Sequence, residues 1–407
     1  MKLTEMVGSS EAVKMTQLSQ KLTIGGETKA YPVYRIRLDV LRYNSRNDRI
    51  ATRISEYAEE HDGALPDEGD VSKFNDLVEE YIVASNPEKL KATESSIRDN
   101  EQQVPGVVLE DGLVIDGNRR FTCLRRLARN NDKYNWFEAS ILPESVGGDR
   151  EALKCLELAL QFGREERVGY DPVDRLVGVY RDLIDPETRI ETLTPEKYAR
   201  SAGIPIARLN GYISRAKLMV DFLEFAGAPK RFSLARTLKI DGPLGEIENI
   251  FKKCDGEEQI ERVKVHAFAN ILVEPEDITR FMRKMRRVVG EGNCDDFLDK
   301  EDDLAAEVVN RLENLGEVDA KTIRDEIRSD QKLKNEMLEA VDIAEYEARR
   351  SKVLDSPIQA IDEARKRLGG VDPEIVAHFS DDMKRQMRVS LRNLREAFDA
   401  IENMLDA

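Results

Sequence analysis

The stretch Gly112-Leu113-Val114-Ile115-Asp116-Gly117-Asn118-Arg119-Arg120-Phe121-Thr122-Cys123-Leu124 decides the fold prediction for the first third of the chain. Its apolar residues 113–115 predict a short strand that runs into Asp116-Gly117. A helix is predicted to begin there, with Arg119 and Arg120 in its first turn. Cations at a helix N-terminus are disfavoured by about 0.3–1 kcal/mol each. Two arginines in this position therefore indicate an anion that docks on the free backbone N–H groups.

We predict a phosphate-binding site made of Gly117, Asn118, Arg119 and Arg120. The alternative is that both arginines bend back to Asp116 or to other nearby acids and bind nothing else. Asp116 is either a helix cap, which is the commoner role for an aspartate in such a position, or a ligand for Mg²⁺ beside the phosphates.

The segments Val104-Pro105-Gly106-Val107-Val108, Leu113–Ile115 and Gly117-Asn118-Arg119-Arg120 resemble the core of the ParB/sulfiredoxin-like superfamily, where a "QxPxxV…xIxGxRR" pattern carries the nucleotide-phosphate site. The resemblance covers roughly residues 31–142. It implies an α+β domain with a small mixed sheet that binds a nucleoside triphosphate, CTP or ATP, with Mg²⁺. In ParB-like proteins a DNA-binding helix-turn-helix follows this domain.

A second family motif, "ENxQRxxLxPxE", resembles residues 161–172 only in part. Arg167 and Pro172 align with the arginine and proline of the family, whereas its glutamate falls on Gly163 and its glutamine on Glu166. By this resemblance Arg167 contacts phosphate, and Glu165 or Glu166 substitutes as the catalytic acid. Arg46, in the sequence Asn44-Ser45-Arg46, stands where the family often has an arginine that reaches the nucleotide.

Bulk composition indicates a soluble cytoplasmic protein without a membrane span. The 407 residues carry a net charge of −16, and they contain neither a run of 18 apolar residues nor an apolar segment near Met1. The four cysteines are scattered, which is typical of reduced thiols. The three histidines are far apart, so a zinc site is not expected.

Periodicity divides the chain into an N-terminal mixed region and a helical remainder. Residues 1–30 are predicted to be a loose arm or short strands, and alternation over 32–38 predicts a half-buried strand. Helical spacing favours three helices between residues 50 and 99, and strands are predicted at 107–109, 113–115 and 136–142. We predict domains at 1–149 (nucleotide-binding), 150–240 (helical, with a helix-turn-helix) and 241–407 (helical and acidic).

Residues 194–218 are predicted to form the helix-turn-helix. Thr194 can cap a first helix that has Pro195 in its first position, and the small or apolar residues Ala199, Gly203 and Ile204 allow two helices to cross closely. Residues 194–240 contain nine Lys or Arg and three acids, so DNA is the expected partner. The predicted DNA contacts are Arg208, Asn210, Arg215 and Lys217. Two ordinary packed helices are the alternative.

The last predicted helix, Met383 to Leu405, has apolar residues spaced four, three, four, three and four apart from Met387. This seam fits either a homodimer through the C-terminal helices or one helix of an intramolecular bundle.

Three functions remain open on the sequence. The first is a DNA-binding protein for which a nucleotide acts as a switch. The second is a Mg²⁺-dependent nucleoside triphosphatase of a DNA-modification or phage-defence system. The third is a non-catalytic regulatory scaffold. Sulfinic-acid reduction is not expected, because Asn118 stands where sulfiredoxins have their cysteine and Cys123 is better interpreted as an apolar filler.

Overall fold

A computed structural model describes residues 2–24, 27–45, 47, 50–61, 64–143, 148–162, 171–290, 294–316 and 318–405. The chain divides into two compact units, Met1–Asp342 and Ile343–Ala407. The predicted boundaries near residues 150 and 240 both fall inside the first unit, so the three-domain division stays a prediction.

The N-terminal part of the first unit is a mixed sheet of six strands. The strands are β1 (Val13–Ile24), β2 (Glu27–Arg37), β3 (Arg42–Tyr43), β4 (Gly106–Leu109), β5 (Leu113–Asp116) and β6 (Trp136–Leu142). Their spatial order is β1-β2-β6-β4-β5-β3. β6 is parallel to β4 and β5 is parallel to β3, while the other neighbours are antiparallel.

The turn between β4 and β5 forms at Asp111-Gly112, where the Gly112 N–H donates to the Leu109 carbonyl at 3.0 Å. Gly112 has φ 88°, and a Cβ atom there would lie 2.4 Å from the carbonyl oxygen of Val40. Only glycine fits this position, because both the left-handed backbone and the close approach exclude a side chain. The turn therefore fixes the register of β5, which leads directly into Gly117.

The prediction of a loose arm or short strands over residues 1–30 was wrong. Residues 3–6 form α1 (Leu3–Met6), and β1 is a long edge strand that pairs with β2. β1 shows little alternation because only Val13 and Leu22 are buried, while Met15 and Leu18 are exposed. Backbone pairing, rather than an apolar face, holds this strand in the sheet.

Helices before and between the strands cover the sheet. They are α2 (Ala51–Glu60), α3 (Val71–Ser85), α4 (Pro87–Asn100) and α5 (Asn118–Ala128). A buried core joins them to the sheet, and Phe121 and Phe137 lie at its centre with ring centroids 5.8 Å apart. The helices predicted between residues 50 and 99 and the strand predicted at 136–142 are confirmed.

After β6 the described chain is helical. The helices are α6 (Arg150–Phe162), α7 (Pro172–Val179), α8 (Pro195–Ser201), α9 (Ile206–Phe225), α10 (Phe232–Thr237), α11 (Asp241–Phe251), α12 (Glu257–Val273), α13 (Ile278–Val289), α14 (Asp295–Glu313), α15 (Ala320–Thr322), α16 (Gln331–Gly369), α17 (Pro373–Ala377) and α18 (Asp381–Leu405). A π-helical turn, Tyr180–Ile184, continues α7. The coarse prediction of an N-terminal mixed sheet followed by helices is thus confirmed. Among the described residues no helix is long and apolar enough to cross a membrane.

Candidate functional site

The N-terminus of α5 has the backbone form expected of an anion cradle. Gly117 is its N-cap, in the left-handed region with φ 98°, and no side chain caps the helix. A Cβ atom on Gly117 would lie 2.9 Å from Phe137 Cζ, so this turn also requires glycine. The first N–H groups of an α-helix have no partner within the helix, and here they lie directly after β5.

Arg120 has partners within the protein. Its Nη2 donates to Asp116 Oδ2 at 3.0 Å, and its Nη1 donates to the carbonyl oxygens of Val104 and Pro105, the latter at 3.1 Å. The guanidinium therefore ties the start of α5 to the segment before β4. This is the alternative weighed for the arginines, and for Arg120 the geometry favours it, although its predicted phosphate contact stays a prediction.

The same pairing decides how Asp116 fits a metal. A guanidinium 3.0 Å from the carboxylate is a cation where Mg²⁺ would need to sit. No group of three or more His, Cys, Asp or Glu in the described part of the chain can hold a metal ion. Asp116 Oδ2 thus already has a cationic partner, so Asp116 as a Mg²⁺ ligand stays a prediction, and we derive no chemical step through a metal.

The two residues between Gly117 and Arg120 differ in environment. Asn118 is 8% exposed, and its Oδ1 is buried with no hydrogen-bond partner in the described part of the chain. Arg119 is half-buried and lies near Cys123. Burial raises the pKa of the Cys123 thiol to about 12 although Arg119 acts in the opposite direction. A thiol with this pKa stays protonated, which agrees with the interpretation of Cys123 as an apolar filler.

A cavity of about 360 Å³ lies next to the carboxyl end of β3. Because β3 is parallel to β5, with Tyr43 beside Val114, their carboxyl ends emerge together. Asn44 and Ser45, which follow β3, line the cavity. Ligands of open α/β sheets bind outside the carboxyl ends of parallel strands. β3 and β5 therefore end side by side, although no residue at the start of α5 lines the cavity itself.

Charged side chains from the helical region also line the cavity. The cations are Arg150 and Lys154 from α6 and Arg181 from the π-helical turn, and the lining acids of the whole cavity are Glu68, Glu157, Asp182 and Glu187. Lys154 is 5% exposed, and its Nζ lies 2.7 Å from Asp182 Oδ2 and 4.0 Å from Glu157 Oε2.

Glu157 is also buried, and it accepts a hydrogen bond from Asn44 Nδ2 at 2.6 Å. Asn44, Lys154, Glu157 and Asp182 were missed by the sequence prediction. Their long separation along the chain leaves no local motif, and the only signal was the family alignment around Asn44-Ser45-Arg46.

Four predicted site residues, Arg46, Glu165, Glu166 and Arg167, lie outside the described residues. Their roles in phosphate binding and catalysis stay predictions.

Helices α8 and α9 form the predicted helix, turn and helix. Thr194 Oγ1 accepts from the Lys197 N–H at 3.3 Å, and Gly203 in the turn has φ 62°. The Ile204 N–H donates to the Ala199 carbonyl at 3.0 Å, which closes the turn.

The predicted DNA contacts on α9 separate into two groups. Arg208, Asn210 and Lys217 are exposed. Arg215 is half-buried, with its Nη1 2.9 Å from Asp241 Oδ1 and its guanidinium over the Tyr212 ring. Arg215 therefore has an acidic partner on α11, and its DNA contact stays a prediction that the proposal below does not use.

Much of the positive charge of residues 194–240 is neutralised by acids elsewhere in the chain. Lys197 pairs with Glu151, Lys230 with Glu187, and Arg236 with Asp171 and Asp174. The exposed cations Arg200, Arg208, Lys217 and Lys239 form no ion pair with the residues that the structure describes. These four, rather than all nine cations of the segment, are the exposed cations that could meet an anionic partner.

Comparisons of the chain with known protein families, with curated proteins and with solved structures gave no match.

Proposed function

We propose that this protein binds a nucleoside triphosphate, CTP or ATP, at the sheet edge between α5 and α6 and binds DNA through α8 and α9, with the nucleotide acting as a switch. One observation carries the proposal. An uncapped helix N-terminus with a left-handed Gly117 follows β5, and the residues after the neighbouring β3 line a cavity of about 360 Å³ whose wall contains three cations (Arg150, Lys154, Arg181) and four acids (Glu68, Glu157, Asp182, Glu187). The resemblance of the segment around Gly117 to the ParB/sulfiredoxin-like superfamily supports the nucleotide.

Phosphate oxygens would accept hydrogen bonds from the first N–H groups of α5, where the helix dipole favours an anion. Arg119 is the side chain best placed to add a charge-assisted bond. Arg120 holds this turn in place through Asp116 and the carbonyl of Pro105. The rest of the nucleotide would extend into the cavity, where the Asn44–Glu157 pair offers hydrogen-bonding groups.

The DNA face is the exposed side of α9. Asn210, Ser214 and Lys217 are exposed and follow each other at helical spacing of four and three residues, so they share one face. An asparagine can read adenine through two hydrogen bonds, and a lysine neutralises phosphate. Arg208 lies two residues before Asn210, about 200° around the helix, so its predicted DNA contact is not part of this face.

A polar contact joins the sheet-side helices to the helical region and gives the switch a physical route. Thr52 on α2 donates to Asp174 on α7 at 2.7 Å, and Arg236 Nη1 on α10 lies 3.0 Å from Thr52 Oγ1. α2 lies between β3 and α3 in the chain. A ligand that shifts α2 would therefore change contacts with α7 and α10, and it can bias two states only by binding them unequally.

A thermal-shift titration tests the nucleotide site. CTP, ATP, GTP and their diphosphates are titrated with and without Mg²⁺, because a ligand that binds only the folded state raises Tm with dose. We expect one triphosphate to raise Tm at micromolar to millimolar concentration. Arg119→Ala should weaken nucleotide binding by about tenfold. Arg98→Ala, which replaces an exposed arginine on α4, should leave nucleotide binding unchanged. The absence of a shift with every nucleotide overturns the proposal.

The alternative function, a triphosphatase of a DNA-modification or phage-defence system, differs from a nucleotide switch in that it hydrolyses the bound nucleotide. Phosphate release is measured with the nucleotide that binds, with and without DNA. Glu165→Gln and Glu166→Gln test the predicted catalytic acids. Release abolished by either substitution favours the enzyme, and binding without release favours the switch. DNA binding without any nucleotide dependence favours the regulatory scaffold.

A further inference from the structure

α18 presents an apolar stripe that the described residues of its own unit leave without a buried side chain. None of its residues is buried, and Leu391, Phe398 and Ile401 are between 36% and 40% exposed. The stripe follows the seam seen in the sequence, from Met387 to Leu405. A contiguous apolar face on a helix of 25 residues is far more than scattered exposed side chains, and such faces mark contact sites.

The unit that contains α18 has no apolar core of its own in the described structure. Among the described residues, Val341 is the last apolar residue along the chain that is buried. Helices in proteins derive most of their stability from packing an apolar face. The stripe of α18 therefore requires a partner, and the described residues of this unit do not supply one.

Charge along α18 is divided between its two halves. Residues 384–395 contain five Lys or Arg and no acid, and residues 396–405 contain three acids and no base. Two copies packed parallel would place basic half on basic half and acidic half on acidic half. Two antiparallel copies place opposite charges together and also oppose the helix dipoles.

The apolar spacing fits the antiparallel arrangement layer by layer. In a heptad numbered from a to g, Leu391, Phe398 and Leu405 occupy position a, and Met387, Leu394 and Ile401 occupy position d. In an antiparallel pair, a residue at position a of one helix packs against a residue at position d of the other helix. The layers become Met387 with Leu405, Leu391 with Ile401 and Leu394 with Phe398, so all six apolar side chains are used.

The flanking positions also distinguish the two orientations. Arg388, Arg395 and Glu402 are the e positions. Across an antiparallel seam Arg388 faces Glu402, so the dimer would contain this ion pair twice, and Arg395 faces Arg395 of the second copy. In a parallel pair e positions face g positions, where the chain has Met383 and Ala397. A parallel dimer therefore gains no flanking ion pair from Arg388 or Glu402.

We propose that α18 is a homodimerisation helix that pairs antiparallel with α18 of a second copy. The proposal does not depend on nucleotide or DNA binding, and either can fail alone. Its first test is the mass of the full chain by light scattering across 1–100 µM. We expect a dimer, and the substitution pair L394D with F398D should give a monomer whose far-UV spectrum remains that of a helical protein. A monomeric wild-type chain, or an unchanged mass in the double variant, overturns the proposal.

A charge-reversal cycle tests orientation. In the antiparallel dimer Arg388→Glu alone brings two carboxylates together at each flanking pair, and Glu402→Arg alone brings two guanidinium groups together. Each should raise the dimer Kd by about tenfold, and the double variant should restore it, because each flanking pair then has opposite charges again. Arg365→Glu, an exposed charge on α16, is the control. Single variants without effect, or a double variant without rescue, overturn the antiparallel assignment.

Discussion

Glu301 is a carboxyl group with almost no access to water. It lies on α14, fully buried, and its Oε2 accepts from Asn270 Nδ2 at 2.6 Å. Glu301 Oε1, Asn270 Oδ1 and His266 Nδ1 are buried without hydrogen-bond partners among the residues that the structure describes. Burial raises the pKa of Glu301 to about 8, so the folded protein keeps this carboxyl protonated at pH 7. A protonated Oε1 can donate, which a carboxylate cannot.

The raised pKa of Glu301 makes stability fall as pH rises. Between the ordinary pKa of 4.5 and the folded value of about 8, the unfolded chain loses this proton and the folded chain retains it. The stability cost therefore grows through this window and is constant above it. Glu301→Gln removes the cost and keeps an acceptor for Asn270, so we expect it to stabilise the protein by on the order of 1–3 kcal/mol at pH 7.

The measurement is chemical unfolding of wild type and Glu301→Gln at several pH values from 4.5 to 9. The gain should be small at pH 4.5 and should level off above pH 8. Glu313→Gln, at an exposed position near the end of the same helix, should give a difference that changes little with pH. A gain for Glu301→Gln that is constant over the whole range would contradict the assignment of a buried neutral carboxyl.

Gly117 allows a second prediction for a single residue. Alanine there meets both a left-handed backbone and Phe137 Cζ at 2.9 Å. We expect Gly117→Ala to destabilise the protein by roughly 2–4 kcal/mol. Gly203→Ala is the matched comparison, because Gly203 also has positive φ but open space around its Cα. It should cost about 1 kcal/mol. Equal losses in thermal or chemical unfolding would show that the contact with Phe137 does not matter.

At the scale of elements, the sequence predicted those whose residues carry a local signal. β5, Gly117 and α5 were evident because an apolar run, a glycine and helical spacing follow each other within 13 residues. β1 was missed because it is held by backbone pairing and exposes Met15 and Leu18. The cavity wall was missed because Asn44 and Glu157 meet through folding alone. The Asp116 partner of Arg120 was among the alternatives weighed, but its contacts with the carbonyls of Val104 and Pro105 were missed because backbone carbonyls have no sequence signature.

The prediction at the scale of elements concerns the exposed face of α9. Lys217 is exposed on it, so a phosphate contact by Lys217 would release about one counterion. Lys217→Ala should lower DNA affinity and reduce the slope of log K against log salt by about 0.9. Arg215→Ala should instead lower stability, because it leaves Asp241 without its partner at 2.9 Å. Fluorescence anisotropy over a range of salt concentrations separates the two. Lys332→Ala, an exposed control on α16, should leave the slope unchanged.

At the scale of the whole molecule, the question is how a ligand at the sheet edge can be sensed by α9. The described contacts between α2, α7 and α10 are polar and specific. Arg236 lies 3.0 Å from Thr52 Oγ1, 3.4 Å from Asp174 Oδ2 and 3.4 Å from Asp171 Oδ2. Asp174 is buried, so its charge depends on these partners. This contact joins α2, which follows β3 in the chain, to α7 and α10, which follow the cavity-lining helix α6.

Arg236→Gln should therefore uncouple the two activities of the proposed switch. A glutamine can still donate to Thr52 or Asp174 but cannot bridge all three groups, and the loss of charge beside Asp174 should destabilise the fold by about 2–4 kcal/mol. The measurement is DNA affinity with and without saturating nucleotide at a temperature well below Tm. We expect wild type to show a nucleotide-dependent change and Arg236→Gln to show about equal affinities, while nucleotide affinity itself changes little. Lys239→Gln, which removes an exposed charge close by, should retain the wild-type change. A full nucleotide response in Arg236→Gln would mean that α2, α7 and α10 move as one body and that any coupling takes another route.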